Sequence, residues 1–162
     1  MTTRTWYVCG LAACALTASA LSLPVIAQRG TIGADWTYYA GEAGSTKYSP
    51  LDQINAENVK NLQVAWRWKS DNFGPRPDPY LQSTPLAVKG VLYTTAGTRR
   101  DVVAIDGRSG ETLWMFRAGE GDRGDQSPIR SPTGRGVAYW TDGKEERILH
   151  VTLGYRLVAL NA

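Results

Sequence analysis

Cysteine is scarce in this chain, and what there is sits in one place. Cys9 and Cys14 are the two copies, and both fall within an apolar run near the N-terminus. If that run is removed, neither a disulfide framework nor a thiolate metal site remains. Histidine occurs once, as His150, so no histidine cluster can hold a metal; an alternating apolar stretch around it reads as a strand, with His150 packed rather than acting as a base. No Ser/His/Asp set and no Gly-rich phosphate loop is present. Charge of one sign is also missing. The 18 basic and 15 acidic residues are scattered, without the clustered basic patch that nucleic acid requires, and nucleic acid is not expected as a partner.

One long apolar stretch exists, from Trp6 to Ala27, preceded by the lone charge of Arg4 and followed by Gln28-Arg29-Gly30. This is the layout of a secretory signal peptide, with Val25-Ile26-Ala27 offering small residues for cleavage before Gln28. An uncleaved anchor is the alternative, because about 20 apolar residues can span a bilayer. Ala, Ser and Thr dilute the run and Pro24 lies near its end, which weighs against the anchor. A third option is a lipoprotein site at Leu11-Ala12-Ala13-Cys14, against which the apolar run continues well past Cys14.

Beyond the leader, short β-branched runs at 63–68, 84–88, 91–96, 102–106, 112–117, 136–139, 148–153 and 157–160 alternate with Gly, Pro, Asp and Asn. Such spacing implies an all-β fold, a sandwich or a propeller. Lys89-Gly90, Asp106-Gly107, Asp142-Gly143 and Leu153-Gly154 supply the turns. One short helix is expected at 55–62, capped by Asn55.

Internal repeats favour the propeller, whose four-stranded unit recurs every 40 to 50 residues or so. Val64-Ala65-Trp66-Arg67-Trp68 matches Leu113-Trp114-Met115-Phe116-Arg117, with Trp66 and Trp114 being 48 positions apart; Val103-Ala104-Ile105-Asp106 matches Val158-Ala159-Leu160-Asn161 at 55, and 91–95 matches 148–152 at 57. The fullest unit is 104–114, Ala-x-Asp-x-x-Ser-Gly-x-x-x-Trp. Ala104 is expected to let neighbouring strands approach, Asp106 to tie the turn, Gly110 to supply a permissive backbone, and Trp114 to cover the join between blades. All four read as structural. The expected division is a leader at 1–27, a lead-in at 28–62, and blades over 63–162 with the second unit cut short at Ala162.

With that motif in place, the chain resembles the quinoprotein propellers, the pyrroloquinoline-quinone (PQQ) dependent dehydrogenases, in which about eight such blades surround one cofactor. Asp35-Trp36, Tyr39-Ala40-Gly41 and Lys47-Tyr48-Ser49-Pro50-Leu51-Asp52-Gln53-Ile54 resemble the family's N-terminal signature, which continues through Asn58-Val59-Lys60-Asn61-Leu62. Thr84-Pro85-Leu86 and Arg135-Gly136-Val137-Ala138-Tyr139-Trp140 follow in the family's order.

The resemblance implies a cofactor role for Arg135, whose guanidinium suits the carboxylates and ortho-quinone of PQQ. Gln82 stands where these enzymes carry a Glu; an amide keeps the hydrogen bonding but brings no charge. At 127–132 the adjacent cysteines of the alcohol-oxidising branch are missing, which places the chain nearer the branch resembling glucose and polyol dehydrogenases, and Arg130 is a further anion-contact candidate. Ca²⁺, with ligands expected outside this chain, and an alcohol, polyol or sugar substrate are implied, with a quinone or cytochrome as acceptor. A periplasmic location follows, with membrane association left open. The chain is expected to be the N-terminal piece of such an enzyme, to bind PQQ weakly or not at all by itself, and to have no turnover. The rival is a non-enzymatic propeller resembling the outer-membrane-assembly lipoproteins, supported by Leu11-Ala12-Ala13-Cys14.

Overall fold

The computed structural model describes residue 33 and residues 35–70, 81–126 and 134–162. The leader, its cleavage site, and the 127–132 segment with Arg130 lie outside the described residues. Among the described residues, seven strands form two antiparallel sheets. The first sheet runs in the order β1 (Leu86–Val88), β2 (Val91–Ala96), β3 (Asp101–Asp106) and β4 (Thr112–Phe116). The second contains β5 (Ala138–Thr141), β6 (Glu146–Val151) and β7 (Leu157–Asn161), and a four-residue helix α1 (Asp122–Asp125) lies between the sheets in sequence.

Each turn has a local cause. Val88 pairs with Val91, leaving a two-residue loop in which Lys89 and Gly90 both take positive φ, at 50° and 82°; this is the turn whose twist matches paired strands. At the β3–β4 turn the Asp106 carboxylate accepts hydrogen bonds from the Ser109 amide at 2.7 Å, the Arg108 amide at 2.9 Å and the Ser109 hydroxyl at 3.0 Å. Those bonds, from Ser109 above all, hold its pKa below the usual value. Gly110 follows at φ 76°. At the β6–β7 turn the left-handed residue is Tyr155, at φ 61°, rather than Gly154.

Strand alternation divides the first sheet into two faces. Val102 and Ala104 point toward the second sheet, joining Val88, Tyr93 and Ile148, with Trp114, Phe116, Val137, Tyr139 and Leu160 around them. Val103, Ile105 and Ala96 point the other way, under Trp66 and Trp68. Ala104 is opposite both Tyr93 and Trp114; its small side chain lets those two rings come within 5.9 Å of each other, centroid to centroid. Trp114 thus lies at the join between the two sheets.

Two expected elements take another form. Over 55–62 only Val59–Asn61 is helical, a single 3₁₀ turn with no buried residue. Asn55 does not cap it: the N-cap is Asn58, without a side-chain cap bond, while Asn55 accepts from the Glu57 and Asn58 amides in the preceding turn, and a turn that buries nothing does not lengthen. Residues 63–68 join no strand ladder; they lie extended across the first sheet. There the Trp66 indole donates to the Gly107 carbonyl at 3.1 Å and the Trp68 indole to the Thr112 hydroxyl at 3.0 Å. Trp66 sits over Gly110, where a β-carbon would come within 2.6 Å of the ring. The lead-in segment also covers the β1 edge, as Trp36 exchanges both backbone hydrogen bonds with Ala87, blunting an otherwise open strand.

Candidate functional site

Antiparallel order places the entries to β1 and β5 at one end of the sheets, together with the β2–β3 and β6–β7 turns. The motif turn after β3 and the Asp142–Glu145 turn lie at the other end. The two cofactor candidates share the first end: Gln82 precedes β1, and Arg135 precedes β5. Both are exposed.

Their backbones are brought together by two devices. The Ser83 hydroxyl forms a 2.8 Å hydrogen bond with that of Thr94 and accepts from the Thr95 amide and hydroxyl at 3.2 and 3.1 Å, pinning the Gln82 side to β2. Gly136, at φ 113°, then passes so close that a β-carbon on it would lie 2.9 Å from the Thr84 carbonyl oxygen. Glycine is required at that approach. The entries carrying Gln82 and Arg135 are therefore neighbours in space as well as equivalent in position.

Arg135 lines a cavity of about 1010 Å³ shared with Arg100, His150, Tyr155 and the Gly134–Gly136 backbone. Arg100 lies in the β2–β3 turn with a left-handed backbone, φ 57°, its stem packed against Gly134, where a β-carbon would meet the Arg100 Cδ and Nε at 2.9 Å. Its Nη1 donates to the Val151 carbonyl at 3.4 Å, and burial pushes its pKa down. His150 is 3% exposed, and its Nδ1 is buried without a hydrogen-bond partner. Burial, then the adjacent Arg100 charge, lowers its pKa to about 4, so the ring is neutral at pH 7. Sequence reasoning gave His150 a packing role and overlooked Arg100; the Arg99-Arg100 pair inside a hairpin turn was the available signal.

Behind the cavity, Glu120 fixes the β6–β7 turn. Its carboxylate, 6% exposed, accepts from the Thr152 hydroxyl at 2.5 Å and the Gly154 amide at 2.6 Å, while Arg123 donates to the Gly154 carbonyl at 2.6 Å. Burial opposes ionisation of Glu120, yet those two hydrogen bonds and the nearby arginines outweigh it and lower its pKa. Glu120 and α1 were likewise not anticipated, because Gly119, Gly121 and Gly124 make this stretch read as loop.

The donor set suits a polyanion. Arg100, Arg135 and a glycine-lined backbone border one space, and guanidinium groups match carboxylate geometry. Metal ligands are a different matter: among the described residues, no three His, Cys, Asp or Glu side chains gather at one point.

Residues 36–162 match the family described as PQQ: glucose/ethanol/alcohol dehydrogenase, β-propeller domain. The chain belongs to this PQQ-propeller family. The dehydrogenase subunit of the quinone-dependent alcohol dehydrogenase of Gluconobacter oxydans is 37% identical over 133 residues, 79% of this chain and 16% of that protein. Quinohemoprotein alcohol dehydrogenase ADH IIB of Pseudomonas putida is 34% identical over 130 residues, 80% of this chain and 17% of that one. The crystal structure of quinohemoprotein alcohol dehydrogenase from Comamonas testosteroni superposes with a TM-score of 0.63 at 32% identity, covering 79% of this chain and 18% of that chain. The chain thus spans about a sixth of the length of the curated PQQ-propeller relatives it matches. No helix among the described residues is long and apolar enough to cross a membrane.

Proposed function

We propose that this chain is the N-terminal propeller portion of a periplasmic PQQ-dependent dehydrogenase that oxidises an alcohol, polyol or sugar and passes electrons to a quinone or cytochrome. The observation that carries this reading is the junction of the β1 and β5 entries, where Gly136 lies against Thr84 and sets Arg135 beside the Gln82 segment. In such an enzyme PQQ, when bound, supplies the acceptor for the hydride and electrons leaving the alcohol carbon. This chain's part is binding. Arg135 offers a permanently charged fork to a carboxylate or quinone oxygen, and Gln82 offers an amide that both donates and accepts. A base for the substrate hydroxyl and ligands for Ca²⁺ are assigned to no described residue.

On this reading the chain by itself binds PQQ weakly and reduces no dye. Purified chain supplied with PQQ, Ca²⁺ and an alcohol is expected to give no dye reduction above the protein-free control; a PQQ-dependent rate would sink the assignment of chemistry to residues outside it. Mass spectrometry of the mature N-terminus tests the export route. A start at Gln28 supports the secreted enzyme, whereas a lipidated Cys14 supports the scaffold.

A further inference from the structure

Arg135 is not the sole cation on the cavity wall. Arg100 reaches the same wall from a different sheet, and the features that put it there are specific. Its backbone holds the left-handed conformation at φ 57°, uncommon for a side chain of this size. Gly134, itself at φ 72°, leaves the space that the Arg100 stem occupies, and the Val151 carbonyl takes one guanidinium N–H.

The surrounding charge is positive. Glu120 is the acidic group whose field reaches both Arg100 and His150, but its carboxylate is engaged by Thr152 and Gly154 and lies 4.0 Å from Arg156. Tyr155 lines the cavity as well. His150 lines the same cavity with its side chain 3% exposed, close enough to Arg100 for that charge to act on the ring.

We propose that Arg100 and Arg135 form one two-guanidinium pocket for a carboxylate anion, with Arg100 as a cofactor-binding residue in addition to Arg135. The identity of the anion as a PQQ carboxylate rests on the function proposed above; the pocket's preference for carboxylates does not. Arg135 approaches from the β5 entry and Arg100 from the β2–β3 turn, so a bound carboxylate ties the two sheets together at this end.

The test uses the lone histidine as a reporter already built into the wall. Imidazole C–H signals of the full 162-residue chain are followed by NMR during titration with pyridine-2,6-dicarboxylate, with the uncharged dicarboxamide as control. Saturable shifts with the dicarboxylate and none with the dicarboxamide are expected. Arg100→Gln should weaken binding about tenfold, the order that loss of one charge-assisted hydrogen bond gives, while Arg100→Lys retains part of the affinity and serves as the second variant if Gln disturbs the turn. The amide signals of Ala104 and Ile148 report whether each variant keeps its fold. A folded Arg100→Gln chain that binds like the wild type, or the absence of any saturable shift in the wild type, overturns the proposal. Loss with Arg135→Gln but not with Arg100→Gln overturns it while sparing the cofactor reading; indifference to both substitutions removes both.

Discussion

The two sheets are built from matching sequence units but are not equally enclosed. In the first, both faces of β3 are covered: Val102 and Ala104 by the second sheet, Val103 and Ile105 by Trp66 and Trp68. In the second sheet, Ile148 and His150 are buried, whereas Trp140, Val151 and Leu157 on the other face are 46, 48 and 71% exposed. A propeller blade is stabilised by its neighbours on each side, and the difference shows what a neighbour contributes. The Trp66 segment does for the first sheet what no described residue does for the second.

The shared core should be the most sensitive point, because it serves both sheets at once. Ile148 is fully buried among Val88, Tyr93, Val102 and Ala104. Ile148→Ala should cost about 4 kcal/mol, within the range for large-to-small changes in a packed interior. Chemical denaturation should then show both sheets melting together at a lower midpoint; a shift confined to one sheet would break the picture of a common core.

Acid should act next, through His150. Its folded pKa, about 4, lies below its ordinary value of 6.5, so the unfolded chain takes up a proton more readily than the folded one. Stability from this group is complete above about pH 6.5 and is lost as pH falls toward 4, on the order of 3 kcal/mol in all. His150→Gln should flatten that limb of the stability profile. Removing Arg100 should raise the His150 midpoint, since its charge disfavours the imidazolium.

A smaller effect separates the covered face from the open one. Gly110→Ala forces a β-carbon into Trp66 at a positive φ and should cost about 2 kcal/mol. Leu157→Ser on the open face should change stability by less than about 0.5 kcal/mol. Thermal melts of the two variants side by side measure the worth of the Trp66 cover, and equal losses would remove the contrast.

Much of this architecture was legible because its causes are local. Lys89-Gly90 and the Asp106 turn are set by residues next to one another, and the two faces of β3 follow from alternation. Other features depend on distant partners. That Trp66 rests on Gly110 requires a contact across 44 positions, and with no strand among the described residues pairing with it, 63–68 lies extended instead of forming the expected ladder. The irregular register between Ala104 and Ile105 also leaves no mark in the composition. At the site, Arg135 and Gln82 were found by resemblance, and the sheets then placed their segments side by side. Arg100 escaped notice because its importance comes from Gly134, a residue in another sheet's approach.

Arg135 and Gln82 serve the cofactor only if PQQ meets the β1 and β5 entry end of the sheets. Backbone amide signals of the chain, followed by NMR during titration with PQQ, answer this directly. Shifts are expected at Gln82, Ser83 and Thr84 and across Gly134, Arg135 and Gly136, with the Asp106–Gly110 and Asp142–Glu145 turns unmoved. Shifts centred on those opposite turns, or none anywhere at millimolar PQQ, would contradict it.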